Sequence, residues 1–300
     1  MNIILFFITT FIWGTTWLAI KYQLGDVHPL WSVTYRFGLA SLILVGACIV
    51  SRQSLRFSRK DHGWIALQAL LLFSTNYLMY YFGTDYFISG VVAVLFASVT
   101  LMNIVNSRLF LGTPITVSTL AGAILGGLGL IFIFSAEVIR LSQENLTYIA
   151  EGLAFCLGGT LCASLGQTVA AANMRRSLPV MQTNALGMAY GAAFTAIAAL
   201  TAGIYPSFDF STTYVGSLLY LSFFGTVLAF GSYLKLVGNI GSGRASYAFV
   251  VIPLMALIVS SMFEVFHWDI YSLSGVTMVL IGNWIVLARN AVSSKPARSF

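Results

Sequence analysis

Two tryptophans one helical turn apart, Trp13 and Trp17, and an amide–phenol pair at the same spacing, Asn76 and Tyr80, are the clearest means this chain has of holding a small polar molecule. Aromatic walls carrying a few placed polar groups are what small-molecule pockets use. Thr100, Gln167, Tyr233 and Tyr247 extend the set of candidate binding residues. Covalent chemistry has little to work with. His28, His62 and His267 all fall at the ends of apolar runs or between them, no HExxH motif occurs, and no lysine is central. Neither a metal-dependent hydrolase nor a Ser/Lys pair can be assembled from that inventory. No Asp or Glu lies in the middle of an apolar run, so ion coupling is expected to be weak or to use end-placed acids such as Asp85, Glu151 or Glu264. Cys48, Cys156 and Cys162 all lie inside apolar runs and read as small residues at helix contacts, with no even-numbered disulfide framework. No metal or other cofactor is expected.

The elements that must position these residues follow from composition. The chain has 300 residues, 58% of them hydrophobic and 8% charged, with a mean hydropathy of +0.89. Soluble domains run at roughly 45–50% apolar and about 25% charged, so a soluble fold is excluded. A single anchor on a soluble domain is excluded too, because the apolar excess covers the whole length. Apolar stretches run over residues 2–20, 31–50, 63–83, 87–110, 115–135, 148–172, 179–204, 214–236, 244–266 and 271–288. At roughly 20 residues per crossing these predict an all-α membrane protein of ten transmembrane helices, with tight turns around Asp85 and His267. Nine spans is the competing count. The N-terminal run lacks a positive leader and an evident cleavage site, which reads as a retained first span.

Charge placement sets the orientation. With the N-terminus in the cytoplasm, twelve of the fifteen Lys and Arg fall on the cytoplasmic side and only Lys21, Arg36 and Arg140 on the other, while eight of the nine acidic residues fall opposite, Asp61 excepted. That asymmetry fits the positive-inside rule and puts both termini in the cytoplasm. The basic residues sit in short connections with no basic face, so nucleic acid is not an expected partner.

A shift of 153 residues lays "SGVVAVLFASVTLMNIVNSRLF" over "SGRASYAFVVIPLMALIVSSMF" without a gap, and continues through Gly122/Gly275 and Gly129/Gly282, with Tyr80 on Tyr233. The paired glycines and the Ser-Gly helix start weigh more than identities at Leu or Phe, which apolar helices share cheaply. Five helices per unit is odd, so the second unit enters the membrane from the opposite side. The domains expected are residues 1–140, residues 145–290 as the inverted copy, and a cytoplasmic tail at 291–300. Inverted repeats with a site near the midplane between them are a construction principle of secondary transporters.

"IWGTTWLAIKY", "HPLWSVTYRFGLASLIL" and "SYAFVVIPLMALIVSSMFE" resemble the first, second and ninth helices of the EamA-type branch of the drug/metabolite transporter superfamily. The first ends in Lys21, the second carries Arg36 shortly after a Pro, and the third carries Pro253 and then Glu264. The likeness departs in the first unit, where Thr100 stands at the place of Pro253 and Leu111 at that of Glu264. The resemblance implies a transporter and no enzyme: an exporter of small polar metabolites in the bacterial inner membrane, working by alternating access, with amino acids as the leading class and a facilitator or exchanger as the simplest mechanism. The substrate class also draws on a cavity read as aromatics and amides without buried net charge. Multidrug or organic-cation efflux and a lipid-substrate flippase are the alternatives on the same fold; a membrane-embedded enzyme ranks below them. The partners expected are a small solute and the bilayer, with a homodimer left open.

Each candidate has a plainer account beside the functional one. Trp17 is near enough to its helix end to sit at the membrane interface, whereas Trp13, deeper, lines a cavity or fills the core. Asn103, Asn106 and Asn184 read as interhelical bonds, and Gln167 stands between that account and solute contact. Lys21 and Arg36 either snorkel to head groups or, for Arg36, take part in gating. Pro253, which frees a backbone carbonyl in mid-helix, reads as a pivot, and Glu264 as a structural or gating residue at the end of its helix. Gly122/Gly126 and Gly187/Gly191 are GxxxG-like packing sites.

Overall fold

The computed structural model describes residues 2–112, 114–140, 146–240, 245, 248–264 and 268–293. Among them the chain is helical and contains no strand. We number the helices α1 (Asn2–Lys21), α2 (Pro29–Val50), α3 (Arg59–Tyr86), α4 (Ser89–Leu111), α5 (Val117–Arg140), α6 (Leu146–Arg175), α7 (Val180–Thr201), α8 (Thr212–Leu219, continuing through Tyr220–Leu228 and Ala229–Ile240), α9 (Ala248–Phe263) and α10 (Ile270–Ser293). Seven of these, α1–α4 and α6–α8, are long and apolar enough to cross a bilayer; the apolar described stretches of α5, α9 and α10, Leu120–Ile133, Val251–Phe263 and Ile270–Ile285, are shorter. Helix surfaces expose large apolar side chains such as Ile4, Phe7, Leu42, Val117, Ile131 and Trp284, which hydrocarbon accommodates and water does not. Asp85 lies inside α3, so the tight turn falls later, at Phe87 and Ile88. At the other end of the chain α10 runs on to Ser293.

Local sequence sets the ends. His28 accepts the Leu30 N–H ahead of Pro29 at the first turn of α2, Ser58 accepts that of Asp61 in α3, and Ser211 that of Tyr214 in α8. Each satisfies a helix-start donor that has no intrahelical partner. α4 stops on Gly112 at φ +69° and α7 just before Gly203 at φ +74°, left-handed positions that favour glycine. Within spans, buried hydroxyls turn back onto their own helix: Thr10 onto Phe6 O, Thr168 onto Ser164 O, Thr195 onto Gly191 O. No water is at hand in hydrocarbon to satisfy them otherwise.

Small residues decide which helices meet. Gly152, Gly159 and Gly166 recur two turns apart along α6, and α3 lies against that stripe in the opposite direction, through Tyr86, through Asn76 and Met79, and through Leu72 respectively. Gly187 and Gly191 of α7 receive Phe73 of α3. α5 and α10 cross at glycines from both sides: a Cβ on Gly129 would stand 2.6 Å from Gly275 O, and one on Gly282 2.5 Å from Gly122 O. α2 and α7 are also antiparallel, tied by Thr34 to Thr195 (2.8 Å) and by Ser41 to Ala185 O (2.8 Å).

One interruption recurs at positions 153 residues apart. A π-helical turn occupies Leu70–Thr75 in α3 and Tyr220–Leu228 in α8. α4 breaks at Ala97–Ser98, where i→i−3 bonds replace the α pattern and Ser98 Oγ takes the Leu95 carbonyl. α9 has no such break: Pro253, at the position matching Thr100, stands inside a continuous helix.

Candidate functional site

α1 brings both tryptophans inward, and each closes an aromatic pair contributed by other helices. Trp17, 8% exposed, lies against Tyr80 of α3 (5.2 Å between ring centroids) and Phe96 of α4 (5.4 Å), which themselves meet edge to face at 5.7 Å. Trp13, half-buried, lies against Tyr233 of α8 (5.4 Å) and Phe249 of α9 (5.6 Å), themselves 5.3 Å apart. Phe230 adds a further edge contact at 5.2 Å. Tyr80 and Tyr233, and Phe96 and Phe249, are the matched positions of the 153-residue shift, so one α1 helix seals the same Tyr–Phe pair twice. Trp17 is thus a core-facing residue; its proximity to the helix end does not put it at the surface.

The positions on α6 that correspond to Trp13 and Trp17 are Gly166 and Ala170. The backbone contact keeps its place while the side-chain sizes trade. On one side Gly166 of α6 packs on Leu72 within the π turn of α3. On the other, Trp13 donates Nε1–H to the Gly225 carbonyl (3.1 Å) within the π turn of α8. The π turn frees that carbonyl from its α partner, which is why an indole can take it. The result is lopsided: aromatic on the α1 side, small and amide-bearing on the α6 side.

The polar candidates divide. Asn76, just past the π turn of α3, is buried and its Oδ1 has no hydrogen-bond partner. Tyr80 donates to Thr160 Oγ1 at 2.9 Å. Gln167 accepts from Asn103 Nδ2 at 2.9 Å, leaving Asn103 Oδ1 buried without a partner. Thr100 is half-buried on α4, two residues beyond the break. Tyr247 lies outside the described residues. Asn106 donates to Ser164 (2.8 Å), and Gln68 joins α6 to α7 by accepting from Asn173 (2.9 Å) and donating to Asn184 (3.0 Å). These are interhelical bonds.

Two charged ties close the ends of the bundle. Glu264, following α9, accepts from Lys21 Nζ (2.7 Å), from Ser260 Oγ (2.7 Å), from Ser89 N (3.1 Å) and from Ser89 Oγ. It joins α1, α9 and the N-terminus of α4, where the helix dipole favours an anion. Burial pushes this carboxyl up, but the hydrogen bonds from Lys21, Ser89 and Ser260 outweigh it and hold the group below the ordinary glutamate value. Lys21 therefore has a carboxylate partner. At the other end Arg176 Nη2 meets Asp61 at 2.6 Å, with its guanidinium 5.4 Å from the Trp64 ring.

Arg36 does not snorkel. It is 2% exposed, with its guanidinium 4.5 Å from the Tyr77 ring centroid and 5.4 Å from that of Phe37, and it interacts with the Tyr81 hydroxyl. Nε and Nη1 are buried without hydrogen-bond partners. The interior consequently holds a net charge that the sequence reading did not give it. Phe96, Phe249, Phe230 and Thr160 were also missed as site residues. The first two stood matched in the repeat, but identity between phenylalanines in apolar helices is weak evidence by itself.

Comparison with known proteins gives a uniform picture. The model of the EamA-like transporter family matches residues 1–135 and 150–288. The uncharacterized transporter YoaV of Bacillus subtilis is 25% identical over 83% of each chain. Protein PagO of Salmonella typhimurium is 23% identical over 96% of this chain and 93% of its own. The uncharacterized inner membrane transporter YedA of Escherichia coli is 27% identical over 83% and 78%. A solved crystal structure with 14% identity shares the fold, with a TM-score of 0.68 over 95% of this chain and 96% of that one.

Proposed function

Because the chain belongs to the EamA-like transporter family and is a multi-pass membrane transporter, we propose that it exports small polar metabolites, amino acids foremost, by alternating access between two inverted five-helix units. The observation that carries this is the twice-repeated Tyr–Phe pair closed by Trp13 and Trp17. It gives a lining with one wall from each unit, where a rocking motion of the units changes the enclosure without dismantling either half. Trp13, Trp17, Asn76, Tyr80, Thr100, Gln167, Tyr233 and Tyr247 are its proposed solute-facing residues, and Pro253, Arg36 and Glu264 its moving or latching positions. All ten helices cross the membrane in this reading, both termini are cytoplasmic, and the inner membrane is the location, as the name of YedA states for that protein.

The inverted arrangement draws support from the self-complementary crossing of α5 and α10 and from the matched π turns of α3 and α8. An isologous contact, in which i meets j and j meets i, is what a two-fold relation produces. Glu264–Lys21 and Asp61–Arg176 act as latches at opposite ends, and alternating access requires that at least one open while the other holds.

Counterflow in proteoliposomes tests the substrate class. Vesicles carrying the full chain and preloaded with an unlabelled amino acid mixture should accumulate labelled amino acid from outside, and Trp13→Ala or Asn76→Ala should reduce that uptake in folded protein. Accumulation of tetraphenylphosphonium with no amino acid exchange would replace this reading by organic-cation efflux. A second reading, movement of a lipid-like amphiphile, draws on one feature: an open groove of about 590 Å³ between α1 and α8, lined among others by Thr15, Tyr22, Thr213, Ser217 and Tyr220. Translocation of labelled phospholipid in the same vesicles decides that alternative.

A further inference from the structure

We propose that Arg36 is a specificity residue that reads an anionic group of the transported solute, so that the carrier accepts carboxylate-bearing molecules and rejects organic cations. This rests on the carrier reading above and adds to it the charge type of the substrate. Among the described residues Lys21 and Arg176 each have a carboxylate, Glu264 and Asp61. Arg52, Arg56, Arg59, Lys60, Arg108, Arg175 and Lys235 are exposed. Among the cations whose side chains are described, Arg36 is the one buried with no carboxylate against it.

Such a charge is expensive to keep. Transfer of an unpaired ion into a low-dielectric interior is costly unless it is paired and hydrogen-bonded. The Tyr77 and Phe37 rings and the Tyr81 hydroxyl compensate only in part, since two of the three guanidinium nitrogens find no acceptor. Charged residues within spanning helices mark substrate and ion pathways, and the unmet valence here is that of an anion receptor.

Hydrogen bonds tie its surroundings to the wall of the groove, and α3 ties them to the aromatic site. Tyr81 OH donates to Gln23 Oε1 (3.0 Å), and Gln23 Nε2 donates to Ser217 Oγ (3.3 Å) and Tyr214 O (3.3 Å). Ser217 lines the groove between α1 and α8, so a chain of buried hydrogen bonds ties the groove wall to Tyr81 beside Arg36. On α3, Tyr77 stands between Asn76 and Tyr80 in sequence, which keeps the cation close to the aromatic lining. The unmet groups are complementary in sign: donors at Arg36, and acceptors at Asn76 Oδ1 and Asn103 Oδ1. A zwitterion carries both kinds of group these atoms lack, a carboxylate for the guanidinium and an ammonium donor for an amide oxygen.

The test compares the full-length protein with Arg36→Gln and Arg36→Lys. Thermal unfolding in detergent is measured with L-alanine, L-leucine and L-phenylalanine, with ethylamine, isoamylamine and phenethylamine as their decarboxylated forms, and with succinate. The expected result is that carboxylates raise the wild-type melting temperature and amines do not. Arg36→Gln abolishes that rise and lowers counterflow by about tenfold or more, the worth of one charge-assisted hydrogen bond; Arg36→Lys keeps part of both. Without ligand, Arg36→Gln melts at or above the wild-type temperature, because no ion pair is lost and the cost of burying an unpaired charge is removed. The proposal is overturned if Arg36→Gln carries amino acids at the wild-type rate, if no carboxylate alters wild-type melting, or if both variants unfold, which would make the residue structural. Arg36-dependent recognition of succinate without any amino acid would uphold the proposal and overturn the amino-acid reading. Recognition of amines alone would overturn both.

Discussion

Gly129 and Gly275 each occupy the space the other would need: a Cβ on either would stand 2.6 Å from the partner's carbonyl oxygen. Gly122 and Gly282 meet in the same crossing, with a Cβ on Gly282 2.5 Å from Gly122 O. Since Gly122 corresponds to Gly275 and Gly129 to Gly282, the 153-residue shift carries one contact onto the other.

Alanine at Gly129 or Gly275 must therefore push two helix backbones apart, and we expect a loss of about 1–3 kcal/mol. A Cβ added at Gly126, one turn away, would meet nothing within 4 Å. Gly126→Ala should be neutral or slightly stabilising through helix propensity. Thermal unfolding of the three variants in detergent checks the pattern; equal effects at all three would remove the glycine crossing as a determinant of stability.

Trp13 makes three aromatic contacts and one hydrogen bond to Gly225 O. Trp13→Phe keeps a ring and loses the bond, worth about 0.5–1.5 kcal/mol; Trp13→Ala loses both, with about 3–5 kcal/mol for the truncation if it were fully buried and less at this half-buried position. Counterflow should fall in that order, with Ala the more severe. An Ala variant transporting as wild type would take Trp13 out of the lining.

Asn76 separates glue from solute contact by the direction of its stability change. Its Oδ1 is buried and unpartnered, and leaving such a group unmet costs about 1–3 kcal/mol. Asn76→Ala should then melt at or above the wild-type temperature while transport falls. A drop in melting temperature would show that the amide holds helices together.

Glu264 gives a pH dependence. Its carboxyl lies below the ordinary value of 4.5 because the hydrogen bonds of Lys21, Ser89 and Ser260 outweigh burial. The stabilisation is therefore complete above that value and is lost as pH falls through the lower, folded value. The side chain of Lys21 is 39% exposed against 5% for Glu264, so the ion pair itself contributes about 1 kcal/mol at most after screening. Glu264→Gln should lower stability at neutral pH by about 1–2 kcal/mol, mainly through Ser89 and Ser260, and flatten the acid limb of melting temperature against pH. A variant that keeps the wild-type acid limb would assign that limb to other carboxylates.

Much of this was legible in one dimension because a bilayer leaves few options. A run of apolar residues in hydrocarbon must satisfy its own backbone as helix, so spans, their breaks and the paired glycines stand in the sequence. Trp13 and Tyr233 were legible as candidates because aromatic and polar types are conspicuous against Leu and Ile. Phe96 and Phe249 were not, since phenylalanine in an apolar helix serves lipid, core and cavity alike, and only the neighbour distinguishes them. The break in α4 was also hidden. Pro253 suggests an interruption in α9, yet that helix runs on from Ala248 to Phe263, whereas α4, with no proline, breaks where Ser98 turns onto Leu95 O, a bond that serine forms or forgoes according to its packing.

The sequence by itself determined the membrane setting, the helical segments and the 153-residue correspondence, because transfer free energy and backbone satisfaction act locally along the chain. The tertiary structure alone decided that Trp17 turns inward, that Trp13 takes a carbonyl freed by a π turn 212 residues away, and that Arg36 is enclosed without a carboxylate while Lys21 finds Glu264. Those outcomes depend on which helix faces are brought together, and side-chain pairing across distant segments is set by packing that no local pattern encodes.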